Sequence, residues 1–151
     1  MFQQTRQPAA SRGASFVWTL PPHSGADVAI TVRDIRWLDA PQAHNYPAAL
    51  SYLSLVYPVT RARALVAKLR RAKVTTFKAK DIFRASALSS LGVSNARVEH
   101  DRKMIAKGTP LSPILLVRDT ARGKVVIADG YHRLCAIYSY SEDAEIPCQI
   151  V

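Results

Sequence analysis

Apolar residues recur along this chain at helical spacing in some stretches and at strand spacing in others, and the changes between them mark its elements. From Thr60 to Ala72, residues Ala62, Leu65, Val66 and Leu69 fall at i, i+3, i+4 and i+7, while Arg61, Arg63, Lys68, Arg70 and Arg71 take the other side. This predicts an amphipathic helix capped by Thr60. Before it, Leu50, Tyr52, Leu53, Leu55 and Val56 make Pro47 to Tyr57 apolar on most sides, which predicts a buried helix opened by Pro47 and stopped by Pro58. Val74-Thr-Thr-Phe-Lys78 reads as a strand or an extended link into Lys80-Asp-Ile-Phe-Arg84, and 85–91 reads as a short helix broken at Gly92. Asn95 is placed to cap a helix reaching Lys107, with Val98, Met104 and Ile105 inward and Gly108 as its stop. The last unit reads as strand 113–118, a turn over 119–123, strand 124–128, helix 131–140 and strand 146–151. Its order is β-turn-β-α-β.

Toward the N-terminus the pattern weakens. Pro8, Gly13, Pro21, Pro22 and Gly25 lie among Gln, Ser and Ala, so residues 1–26 read as a flexible leader with a short ordered piece at Phe16-Val-Trp-Thr-Leu20. Val28-Ala-Ile-Thr-Val32 predicts a strand, and Trp37 a packing residue. Two prolines bracket His44-Asn45-Tyr46, where His44 and Tyr46 read either as site residues or as structural ones. No internal repeat interrupts the chain. Residues 27–151 are therefore expected to form one domain, with a helical, basic part over 27–107 and a β-β-α-β core over 108–151.

The stretch with the clearest chemistry is Val125-Val-Ile-Ala-Asp-Gly-Tyr-His-Arg-Leu-Cys-Ala136. It reads as a buried strand, a tight turn that needs Gly130, and a helix whose first turn carries His132 and Arg133. Helix N-termini present unpaired N–H groups and the positive end of the helix dipole, and Arg133 adds a planar fork of donors. Together they suit an anion such as phosphate. The plainer alternative is a helix capped by Asp129, with His132 and Arg133 merely solvated.

Composition narrows the choices. The 151 residues are 48% apolar and 21% charged, ordinary for a globular domain large enough to bury a core. No run of about 18 apolar residues predicts a membrane span, and the absence of a secretory signal favours a cytoplasmic protein. Cys135 and Cys148 lack metal-ligand spacing and fall at buried positions of a helix and a strand, so they read as small core residues. The net charge of +10 is uneven: nine Lys or Arg against Asp81 alone between Arg61 and Arg84, but one Arg against four acids from Val125 onward. Such a distribution implies an anionic partner for one face, or a solvated basic surface.

The segment from about Gly108 to Val151 resembles the ParB/sulfiredoxin superfamily. Leu111-Ser-Pro-Ile-Leu-Leu-Val117 resembles its first strand, with Ser112 where a Gln usually precedes the Pro. Ala128-Asp-Gly-Tyr-His-Arg133 resembles its phosphate-binding turn, and Ile146-Pro-Cys-Gln-Ile-Val151 its closing strand. His44-Asn-Tyr-Pro47 and 78–86 resemble further signatures of bacterial proteins with this domain. The resemblance implies an α/β fold: a mixed ParB/sulfiredoxin-like sheet with helices and an N-terminal helical extension. It also implies ATP or another nucleotide, with Mg²⁺, at Gly130, Tyr131, His132 and Arg133. Asp129 would then hold the metal or cap the helix, His132 would donate to phosphate or move a proton, and Lys80 and Arg84 would supply further positive charge. Asp129 and His132 are the candidate catalytic residues. Three departures bear on activity. Tyr131 replaces the sulfiredoxin cysteine, the Arg-Arg of the ParB turn is His132-Arg133, and no Glu precedes Glu99 to match the base expected of related free-serine kinases. The expected function is therefore a nucleotide- or phosphate-ligand-binding domain, with an ATP-dependent phosphotransferase or nucleotide hydrolase as its catalytic forms. The alternatives are a DNA-binding accessory protein that uses the Arg61–Arg84 surface for nonspecific nucleic acid, and a scaffold that has lost its ligand.

Overall fold

The computed structural model describes residue 31, residues 35–92 and residues 94–151. The leader expected over 1–26 and the greater part of the strand expected at 28–32 lie outside these. Five helices and four strands follow in the order α1 (Asn45–Val56), α2 (Val59–Leu69), β1 (Val74–Lys78), α3 (Ala79–Ser86), α4 (Ala96–Ala106), β2 (Ile114–Asp119), β3 (Lys124–Asp129), α5 (Tyr131–Tyr138) and β4 (Glu145–Ile150). The protein is a mixed α/β structure. Its sheet runs β1-β4-β2-β3, with β2 and β4 parallel and the two outer pairings antiparallel.

The strand sequences account for their places. Ile114-Leu-Leu-Val117 is apolar without alternation because β2 is central and covered on both faces. Ile114 and Leu116 point into a core shared with α3, α4 and α5, while Leu115 and Val117 point into a second core under α1 and α2. Pro147 is tolerated in the interior strand β4 because the ladder to β2 begins only at Cys148. β1 is the exposed edge, rich in Thr and ending in Lys78.

Most predicted elements occur within a residue or two of their expected bounds, and three expectations are corrected. α1 is not wrapped in core: Leu55 is 85% and Tyr52 43% exposed, because the helix packs by one stripe, Asn45, Tyr46, Ala49 and Leu53. Thr60 is inside α2 rather than its cap, a place taken by Pro58. The helix expected at 85–91 is instead α3, which begins at Ala79 directly after β1 and ends at Ala87 in the left-handed region. Burial of Ala79, Ile82, Phe83 and Ser86 on one face outweighs the weak local signal. Asn95 does cap α4, its Oδ1 accepting the Arg97 and Val98 N–H groups, and Gly108 at φ 68° ends that connection.

The segment His44-Asn45-Tyr46-Pro47 is largely a clasp. Asn45 is buried, and its Oδ1 accepts from Ser112 Oγ (2.6 Å) and the Gln42 N–H (3.0 Å). Tyr46 Oη donates to Gln149 Oε1 at 2.9 Å, and Gln149 Nε2 donates to the Ala72 carbonyl at 2.6 Å. These bonds tie both helices of the second layer to β4 and to the start of β2. His44 itself is exposed and makes no side-chain cap bond, so it is neither a buried structural histidine nor part of this clasp. Trp37 packs against the first core, and the chain on either side of it bonds to Leu111. Replacing Asn45 by Ala should cost about 1–3 kcal/mol, since it takes the 2.6 Å acceptor from the buried Ser112 hydroxyl and leaves the Gln42 N–H only Ser112 Oγ. Urea denaturation of the two proteins measures the difference. A loss under about 0.5 kcal/mol, the range of ordinary surface substitutions, would show that the clasp is not needed.

Candidate functional site

One residue, Gly130, turns the chain from β3 into α5. Its backbone lies at φ 101°, ψ 14°, which a residue with a side chain rarely adopts. A Cβ at this position would stand 2.4 Å from Ile114 Cγ2 and 2.8 Å from Ile114 Cβ. The turn therefore requires glycine twice, by conformation and by space. Just before it the pairing of β3 with β2 passes from Ile127↔Leu116 to Asp129↔Leu115, so Ala128 faces no partner residue. Such a bulge re-aims the strand end beside a site.

Asp129 does not cap α5. Gly130 holds the cap position, and no side chain bonds to it. Asp129 still belongs to the strand, and its Oδ2 instead accepts from Arg133 Nη2 at 2.7 Å, one helical turn on. The first N–H groups of α5 thus lack a side-chain acceptor. Arg133 is 17% exposed, and its Nε is buried with no hydrogen-bond partner among the described residues, a donor short of an acceptor. Tyr131 is committed elsewhere: its hydroxyl donates to the Ser89 carbonyl, and its ring stands edge-on to Phe83. Burial raises the pKa of that hydroxyl, keeping it a donor.

Across the turn lies α4, which packs on α5. Its Arg97, His100 and Asp101 share with Asp129–Arg133 a cavity of about 150 Å³. These three belong to no motif in the sequence, although their i, i+3, i+4 spacing puts them on one helix face. Burial raises the Asp101 pKa despite the opposing pull of Arg133, His100, His132 and Arg97. On the other side of the turn a wider concavity of about 460 Å³ is walled by Ala48 and Tyr52 of α1, Leu88, and residues 127–132. His132 lines both spaces.

Lys80 and Arg84 line neither space. Lys80 Nζ lies 2.7 Å from Asp143 Oδ1, beyond the far end of α5, and Arg84 is 80% exposed and pairs with Asp81. Both sit on α3, whose first turn bonds to the 142–144 loop rather than to the turn at Gly130. The nearby arginine that does face the turn is Arg97. Both cysteines are buried, and burial pushes the Cys148 thiol up to about 11, so Cys148 offers no thiolate. Among the described residues no three His, Cys, Asp or Glu side chains converge as a metal set, and Asp129 is occupied by Arg133. The described residues do not by themselves build a protein-held metal site. A third groove of about 220 Å³, between Phe77, Ile82, Leu116 and Ile150, is mostly apolar and lies away from this chemistry. No helix among the described residues is long and apolar enough to cross a membrane.

Comparison of the chain with protein-family models, curated proteins and solved structures finds no significant match.

Substituting Gly130 by Ala should destabilise the protein by about 2–4 kcal/mol, from left-handed strain and from crowding of Ile114. Denaturant titration measures it. A loss below about 1 kcal/mol, the usual Gly-to-Ala range at an unstrained position, would mean that the turn relaxes easily.

Proposed function

We propose that this chain is a ParB/sulfiredoxin-like domain that binds a nucleotide or another phosphorylated small molecule at the Gly130 turn. The observation that carries this reading is the convergence of an uncapped helix N-terminus with Arg97, His100, His132 and Arg133 around one cavity. Free N–H groups and two guanidinium forks suit phosphate oxygens, and the unpartnered Arg133 Nε lies within the same cluster. The wider space beside the turn, with Tyr52 and Leu88 on its wall, favours a ligand that also carries an apolar ring, as a nucleotide does. Phosphate would occupy the α4 side and the ring the α1 side.

For the catalytic forms of this reading, phosphotransfer or hydrolysis, His132 is the better placed of the two candidates. Both residues line both spaces, but Asp129 is held by Arg133. Arg133→Ala is a poor probe of binding, because it would leave the half-buried Asp129 carboxylate without its partner. Arg97 is exposed and in no ion pair among the described residues, so Arg97→Ala should alter unliganded stability by less than about 0.5 kcal/mol. A thermal-shift screen of nucleotides, with and without Mg²⁺, tests the proposal. Ligand at 100 times its Kd adds about 2.7 kcal/mol, roughly 5–10 °C in Tm for a chain of this size. Arg97→Ala should lose most of that shift. If no nucleotide or phosphorylated metabolite stabilises the protein, the reading fails.

A second reading, nonspecific DNA binding, is favoured by α2, whose Arg61, Arg63, Lys68 and following Arg70 and Arg71 are all exposed. Arg61 lies 4.6 Å over the Tyr57 ring and Arg70 4.4 Å over Tyr46, so neither of these rings is free to stack on bases. Contact would be with phosphates alone. Four or five such contacts would lose on the order of a hundredfold in affinity between 50 and 200 mM salt. Fluorescence anisotropy with a duplex should show weak binding at the lower salt that Arg63→Glu with Lys68→Glu removes. No binding at 50 mM leaves α2 as a solvated surface.

A further inference from the structure

The cavity between α4 and the turn contains a feature that a site for a bare anion should not have. Counting only arginines and aspartates, Arg97 and Arg133 face Asp101 and Asp129, two against two. Asp129 is satisfied by Arg133 at 2.7 Å. Asp101 is not: it is half-buried, lines the cavity, and makes no hydrogen bond or ion pair within the described residues, although Arg97, His100, His132 and Arg133 line the same space. An ionised carboxylate so placed would repel a phosphate that presented only oxygens. It would attract a ligand that offers a hydrogen there, because a partly desolvated acceptor is costly to leave unpaired.

We infer that Asp101 makes this a site for a phosphorylated ligand that carries a hydrogen-bond donor, a hydroxyl or an ammonium, close to its phosphate. The inference rests on the phosphate reading of the turn and adds its selectivity. Arg97, Arg133 and the α5 N–H groups take the anionic end, and Asp101 accepts from the donor end. His100 and His132, flanking Asp101 from α4 and α5, face the phosphate oxygens between the two. The arrangement matches a ligand of mixed character and discriminates against sulfate and the dianions of simple alkyl phosphates, which present oxygens alone. Burial, which raises the Asp101 pKa, is consistent with a group that lacks a partner until the ligand supplies one.

Three phosphate monoesters of nearly equal size test this: ethyl phosphate with no donor, 2-hydroxyethyl phosphate with a hydroxyl, and 2-aminoethyl phosphate with an ammonium. Their affinities for the full chain and for Asp101→Asn are measured by NMR chemical-shift titration. In the unaltered protein at least one donor-bearing ester should bind on the order of tenfold more tightly than ethyl phosphate, the effect expected of one hydrogen bond to a charged acceptor. Which of the two carries the preference identifies the donor. In Asp101→Asn the preference should fall to roughly threefold or less while ethyl phosphate binds more tightly, because the repulsion is gone. Equal binding of all three esters to the unaltered protein overturns the inference and leaves the phosphate site standing, as does a preference that Asp101→Asn retains. If neither protein binds any of the three, and no nucleotide stabilises the fold, the phosphate site and this inference fall together. The ester series in the unaltered protein does not depend on how well the variant folds.

Discussion

The close approach of Gly130 to Ile114 is the constraint on which the site depends. Ile114 is fully buried at the start of the central strand, so its position is set by both cores and cannot give way cheaply. With no Cβ, Gly130 can lie against it in the left-handed region, and α5 then leaves the sheet edge at once. Leu134, Cys135, Ala136 and Ile137 are buried as a result, which anchors α5 along its length. A longer connection would let the helix start elsewhere, and Arg133 would no longer return to Asp129. Backbone geometry, core packing and the direction of the helix N-terminus are therefore one linked arrangement.

Around that turn the protein uses polar groups in two ways. On the second layer, Asn45, Ser112, Tyr46 and Gln149 satisfy one another, and their bonds hold α1 and α2 to the sheet. Near the turn, by contrast, Arg133 Nε and the Asp101 carboxylate lack partners among the described residues. Folded proteins seldom leave such groups unpaired, because each costs part of its lost hydration. The contrast between a satisfied clasp and an unsatisfied cleft is the physical ground for placing ligand chemistry in the cleft. The same contrast explains why α1 matters to the site without supplying charge to it. Held by the clasp, α1 presents Ala48 and Tyr52 as one wall of the wider space.

What the chain reveals by itself follows from interactions between near neighbours. Amphipathic spacing located α2, the Asn95 cap located the start of α4, and the apolar run of Ile114–Val117 marked a strand covered on both faces. The need for glycine at residue 130 was also legible, because a strand that passes directly into a helix needs unusual backbone at the junction. The partners of charged side chains were not legible. Asp129 looked like a helix cap, but it belongs to the strand and meets Arg133. Lys80 and Arg84 looked like phosphate ligands because they fall at helical spacing in a basic stretch, yet α3 carries them to the loop at the far end of α5. Arg97, His100 and Asp101 gave no motif, and only the packing of α4 on α5 brings them to the turn. Periodicity reports which face of an element is buried, since that depends on residues three or four apart. Which element lies opposite that face is decided by long-range packing, and the composition of the cleft is decided there with it.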